Sequence, residues 1–67
     1  MEPKRSLSYL IAEERKKSGL TQAQLSERCG IKQSNLSRLE NGSAEPTIET
    51  LELIAKGLGK ELKIYFG

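Results

Sequence analysis

The chain has no histidine, no tryptophan, a single cysteine, two prolines and three aromatic residues among its 67 positions. Each scarcity closes off a class of function or a means of stabilisation. Without histidine the commonest general base and metal ligand is missing, which argues against an enzyme. One cysteine rules out an intrachain disulfide, and with no histidine beside it there is no cluster for a structural zinc. No cofactor is called for. No apolar run approaches the roughly 20 residues that span a bilayer, and the N-terminus lacks the apolar core of a signal peptide. The expectation is a cytoplasmic protein, not membrane-bound, whose thiol stays reduced. A chain of this length forms one small domain that buries only about 60% of its unfolded surface. With disulfide and metal removed, self-association is the remaining aid to stability.

Charge is modest in total and uneven in placement. The net is +2, but residues 1–42 hold eight Lys/Arg against five Glu, and residues 43–67 hold three against four. A positive bias of this size suits a few phosphate contacts, and many ordinary protein surfaces share it.

Glycine and hydroxyl residues divide what is present into short helices. Residues 1–6 are polar, contain Pro3, and read as a flexible arm. A first helix is expected from Leu7 to Lys17, with Leu7, Leu10 and Ile11 on one face and lysines at its C-terminal end. Thr21 and Gln24 stand at capping-box spacing and open a second helix. Leu25 and Cys29 share its inner face, and Gly30 suits its C-cap. A third helix is expected over Gln33–Asn41, with Leu36 and Leu39 inward. Thr47 caps a fourth, which runs through Lys56 with Ile48, Leu51, Ile54, Ala55 and Leu58 as its apolar stripe; Gly57 and Gly59 read as its terminators. Cys29 sits at an apolar position, and a redox sensor would need exposure and a resolving partner. Its expected role is packing, and Tyr9 and Tyr65 are expected to serve packing or an interface.

After Gly59 the period changes to two. Leu62, Ile64 and Phe66 alternate with Lys63 and Tyr65, which reads as a strand over 60–67. A lone strand cannot satisfy its backbone. That leaves a disordered or packed-down end, or pairing with the same strand of a second copy. The fold class is therefore all-α: four compact helices, residues 7–59, followed by a short C-terminal β-strand.

The second and third helices, joined by a glycine turn, have the ingredients of a helix-turn-helix. An ordinary solvated helix would fill its outer face with Glu and Lys. Here that face carries Gln33, Ser34, Asn35, Ser37 and Arg38. Glutamine can grip adenine in bidentate fashion, arginine can grip guanine, and serine can serve either. The chemistry points to reading duplex DNA.

The run Gly19-Leu20-Thr21-Gln22-Ala23-Gln24-Leu25, followed by Cys29-Gly30-Ile31 and by Leu36-Ser37-Arg38-Leu39-Glu40-Asn41-Gly42, resembles the lambdoid repressor/Cro, or XRE-type, helix-turn-helix family. The likeness extends through Glu45-Pro46-Thr47 and Leu51 to Leu58. It implies that Gln22 reaches a backbone phosphate and braces the recognition helix. It further implies that Gln33 reads a base edge, and that Ser34, Ser37 and Arg38 face bases or nearby phosphates. Asn41, with the Gly42 amide, would meet the DNA backbone. Lys32 departs from the serine or threonine common at its position, which weakens the N-cap and offers a phosphate contact. Arg15 and Glu40 match a partly buried salt bridge that orients the recognition helix.

Members of this family usually bind as two-fold dimers. The tail is similar to the ending of HigA-type and HipB-type antitoxins, so Leu62, Ile64 and Phe66 are expected to form a homodimer contact. The function implied is sequence-specific binding of double-stranded DNA as a dimeric transcriptional regulator, most simply a repressor. One alternative is the antitoxin of a toxin–antitoxin pair, which would also bind a toxin protein. Another is a protein-interaction module that uses this fold without DNA; it would put acidic or apolar residues on the face of Gln33 and Arg38.

Overall fold

The computed structural model describes residues 7–66. The expected arm at residues 1–6 lies outside them. Four helices follow one another: α1 (Leu7–Lys17), α2 (Gln22–Cys29), α3 (Gln33–Asn41) and α4 (Ile48–Gly57). The body measures 32 × 23 × 21 Å.

Local chemistry sets the helix ends. Thr21 Oγ1 accepts from the Gln24 amide at 3.0 Å, and Gln24 Oε1 accepts from the Thr21 amide at 2.8 Å. This reciprocal pair satisfies two donors that the start of a helix leaves orphaned. Thr47 repeats half of it, accepting from the Thr50 amide. At the other end of α2, Gly30 takes φ 78° and its N–H returns to the Ser26 carbonyl. A side chain is disfavoured there, because a Cβ crowds the left-handed conformation. The Ser26 hydroxyl in turn donates to the Ile31 carbonyl, holding the α2–α3 turn closed from inside.

The core is built from one or two residues of each helix: Ile11, Leu25, Cys29, Leu36, Leu39 and Ile54. Leu25 and Leu36 are completely buried, and burying each such side chain stabilises by about 1.5–3 kcal/mol. Cys29 is buried and unpaired, as its apolar position requires. In this arrangement α2 packs on α4 and α3, while α1 packs on α3.

Three expectations change. Of the α1 face, Ile11 alone is buried, and Leu7 and Leu10 stay exposed. Gly57 does not stop α4 by conformational freedom. It is the last helical residue and lies buried against α2, where a Cβ would come 2.9 Å from Cys29 Cβ and 3.2 Å from the Cys29 amide nitrogen. The glycine lets two helices approach. Finally, the tail forms no strand: residues 60–66 carry no regular structure, and the described residues contain helices only. A strand requires a ladder partner, and the described residues include no second extended segment to supply one. Leu62 is half-buried, whereas Ile64, Tyr65 and Phe66 are exposed.

Candidate nucleic-acid interface

On α3, burial of Leu36 and Leu39 fixes which way the rest of the helix faces. At about 100° per residue, Gln33, Ser37, Asn41, Ser34 and Arg38 fall within an arc of about 140° on the opposite side. Gln33, Ser34, Arg38 and Asn41 are exposed, and Ser37, which falls between Gln33 and Asn41 in the arc, is half-buried. Asn35 is exposed too, but it lies on the flank, where it borders a shallow groove with Lys32, Ala44 and Thr50. The structure thus gathers four of the expected residues exposed on one face, with Ser37 half-buried among them and Asn35 beside it.

Lys32 is exposed at the entrance to α3 and makes no side-chain cap. The first turn of α3 holds no acidic residue. Its partial positive charge, together with the lysine, is therefore open to an anion. At the far end, Asn41 is exposed and its Oδ1 accepts from the Ser43 amide at 2.8 Å. The Gly42 amide is engaged internally with the Arg38 carbonyl. It is not the free donor that the family pattern implied.

A polar knot fastens α3 to the helices before it. Arg15 Nε donates to Glu40 Oε2 at 2.7 Å and Nη2 to Glu40 Oε1 at 2.9 Å. The third arm of the guanidinium, Nη1, donates to the Leu20 carbonyl at 2.8 Å. Both side chains are nearly buried, at 11% and 7% exposure. Gln22 Nε2 donates to Glu40 Oε1 at 3.0 Å. One carboxylate on α3 thus collects the end of α1 and the start of α2. Burial alone would push the Glu40 carboxyl up, but hydrogen bonds from Arg15 and Gln22 and the charges of Arg15 and Lys16 outweigh it. The carboxyl is held below its ordinary value. Hydrogen bonding to Glu40 likewise raises Arg15, against the opposing effect of burial.

The Arg15–Glu40 geometry agrees with the bridge that the family pattern implied. The resemblance implied that Gln22 braces the recognition helix, but that Glu40 is the group it holds was not legible beforehand. No periodicity links a residue at the start of α2 to one near the end of α3, and only the folded geometry brings them together.

Two short helices, a closed glycine turn and an outward face of hydrogen-bonding side chains define a helix-turn-helix protein. A family model described as "Helix-turn-helix" matches residues 11–64, and the chain belongs to that family, in its XRE-type branch of DNA-binding transcription regulators. Among its relatives is an uncharacterized HTH-type transcriptional regulator of Methanothermobacter thermautotrophicus, 42% identical over 52 residues, covering 78% of this chain and 75% of the relative. An uncharacterized HTH-type transcriptional regulator of Sinorhizobium fredii is 37% identical over 59 residues, covering 88% and 77%. Among solved structures, the wild-type restriction-modification controller protein C.Esp1396I superposes with a TM-score of 0.77 at 35% identity, over 81% of this chain and 70% of that one.

Proposed function

We propose that this protein binds duplex DNA sequence-specifically as a two-fold dimer and represses transcription from the site it covers. The observation that carries this reading is the exposed arc of α3, where Gln33, Ser34, Arg38 and Asn41 stand clear of the core with no acidic residue in the first helical turn. These groups match the donor and acceptor edges of the major groove. Acidic or apolar groups, which an interaction module would use there, are absent from that arc. Repression follows most simply, because a bound reading head excludes other proteins by occupancy alone.

Dimerisation is supported by apolar surface away from α3. Leu7 and Leu10 of α1, Leu58 after α4, and Leu62, Ile64 and Tyr65 of the tail line one open groove. Phe66 projects fully exposed beside it. Covering this surface with a second copy would also supply the tail with the partner it lacks among the described residues. The toxin-binding alternative would use the same surface, and no residue on it favours a toxin over a second copy. Among the described residues no helix is long and apolar enough to cross a membrane, and DNA binding would place the protein in the cytoplasm.

Selection from a random duplex library tests the reading. Enrichment of a two-fold-symmetric site is expected, with half-sites about 10–10.5 base pairs apart, centre to centre. An asymmetric site would remove the dimer, and no enrichment would remove DNA binding. Sedimentation of Ile64→Asp is expected to show monomer where the wild type is dimeric; an unaltered dimer would exclude the tail from the interface.

A further inference from the structure

Between α2 and α3 stand only Gly30, Ile31 and Lys32 to set the direction in which α3 leaves the turn. The helices differ in how their starts are held. α2 and α4 open on threonines whose hydroxyls cap them. α3 opens on Lys32, which makes no side-chain cap, so its entry is not fixed by a cap of its own.

The hold comes from α2 instead. Ser26 Oγ donates to the Ile31 carbonyl, and the Ser26 carbonyl accepts from the Gly30 amide at 2.9 Å. A serine inside a helix ordinarily turns to water or back to the carbonyl four residues earlier. This one is half-buried and reaches forward across the turn. The backbone bond that draws the turn into α3 runs from the Leu36 amide to the Lys32 carbonyl at 2.9 Å, which leaves the Ile31 carbonyl outside the helical ladder. The Ile31 side chain packs against the core. Held by both its side chain and its carbonyl, Ile31 presents the next peptide plane, from which α3 departs, in one orientation.

We propose that the Ser26 hydroxyl is a positioning group for sequence recognition. It acts without contacting DNA, by fixing the angle at which α3 presents Gln33, Ser34 and Arg38 to base edges. The proposal rests on the reading of α3 given above. From Gln33 to Asn41 the helix rises about 12 Å, so a tilt of about 5° at the turn moves its far end by about 1 Å. The donor–acceptor distance of a good hydrogen bond varies by only about 0.5 Å. Bonds to base edges, which carry the sequence information, are therefore lost to a loosened turn before the general attraction to phosphates, which supplies non-specific binding.

The test is the ratio of affinities for the duplex selected above and for an unrelated duplex of equal length, measured where circular dichroism shows every variant folded. Without the hydroxyl, specific binding must itself restore the turn geometry, at a cost no greater than the bond's own net contribution, about 2- to 12-fold per subunit. Ser26→Ala is expected to lower the ratio by a factor in that range and to leave affinity for the unrelated duplex unchanged. Ser26→Thr, which keeps the donor, is expected to hold the ratio near that of the wild type. Ser26→Val, of the same shape without the donor, is expected to behave as Ser26→Ala. A role in stability alone would lower the urea midpoint and leave the ratio untouched, and that result would overturn the proposal. Equal losses in the Thr and Val variants would overturn it as well, since shape and not the hydroxyl would then be responsible. A wild type that showed no preference between the duplexes would remove the sequence-reading role of α3 first, and this proposal with it.

Discussion

Replacing Gly57 with alanine sets two effects against each other, and the structure decides between them. Alanine is the better helix former by about 1 kcal/mol in a helix interior, and at the last position of α4 the gain is smaller. Against it stands the new Cβ, 2.9 Å from Cys29 Cβ, 3.1 Å from Leu25 Cδ1 and 3.2 Å from the Cys29 amide nitrogen. Carbon atoms pack comfortably at about 3.5–4.0 Å. Leu25 Cδ1 can rotate away, but Cys29 Cβ and its backbone nitrogen move only if α4 lifts off α2. Overpacking of this kind costs about 1–3 kcal/mol. The expected net is a loss of about 1–2 kcal/mol, read as a lower urea midpoint with an unchanged m-value. In a domain of this size each kcal/mol corresponds to a fall of about 4–8 °C in Tm. Adding Cys29→Ala should not restore stability, since alanine keeps the Cβ that clashes. A Gly57→Ala protein as stable as the wild type, or more so, would refute the close approach of α2 and α4.

Two further outcomes follow from the polar groups. The Glu40 carboxyl is held below its ordinary value of 4.5, so its stabilising contribution is fully present above that range and is lost as pH falls through the folded-state value. Urea denaturation from neutral to acid pH should show a decline that is shallower in Glu40→Gln, although that variant starts lower; identical slopes would mean that Glu40 is not ionised in the knot. Lys32 occupies the N-cap of α3 at φ −57°, ψ 141° without a side-chain bond. Lys32→Ser should therefore raise stability by about 1 kcal/mol by accepting from the Asn35 amide, and no rise in the urea midpoint would contradict that cap geometry.

The helix boundaries were legible because their causes are local. Thr21 with Gln24, Gly30, Thr47 and the paired Leu36 and Leu39 each signal through neighbours within one or two turns. The recognition face was legible for the same reason: once two leucines are buried, the helical period dictates where Gln33, Ser34 and Arg38 go. What escaped depends on contacts between distant segments. Gly57 looks like a helix stop until α2 is laid against it, and Gln22 reaches Glu40 only across the finished fold. Leu7 and Leu10 have the spacing of core residues, but α3 and α4 leave room for Ile11 alone. The tail has the alternation of a strand, yet alternation describes how side chains face and supplies no ladder partner.

The central claim is that the outer arc of α3 reads DNA, and Arg38→Ala tests it most directly. Arg38 is exposed, so the variant should unfold close to the wild-type urea midpoint. Its affinity for the selected duplex should fall by about 1–3 kcal/mol, while affinity for an unrelated duplex falls much less. Equal losses on both duplexes would reduce Arg38 to a phosphate contact. Unchanged affinity for the selected site, in a folded protein, would contradict the assignment of α3 as the recognition helix.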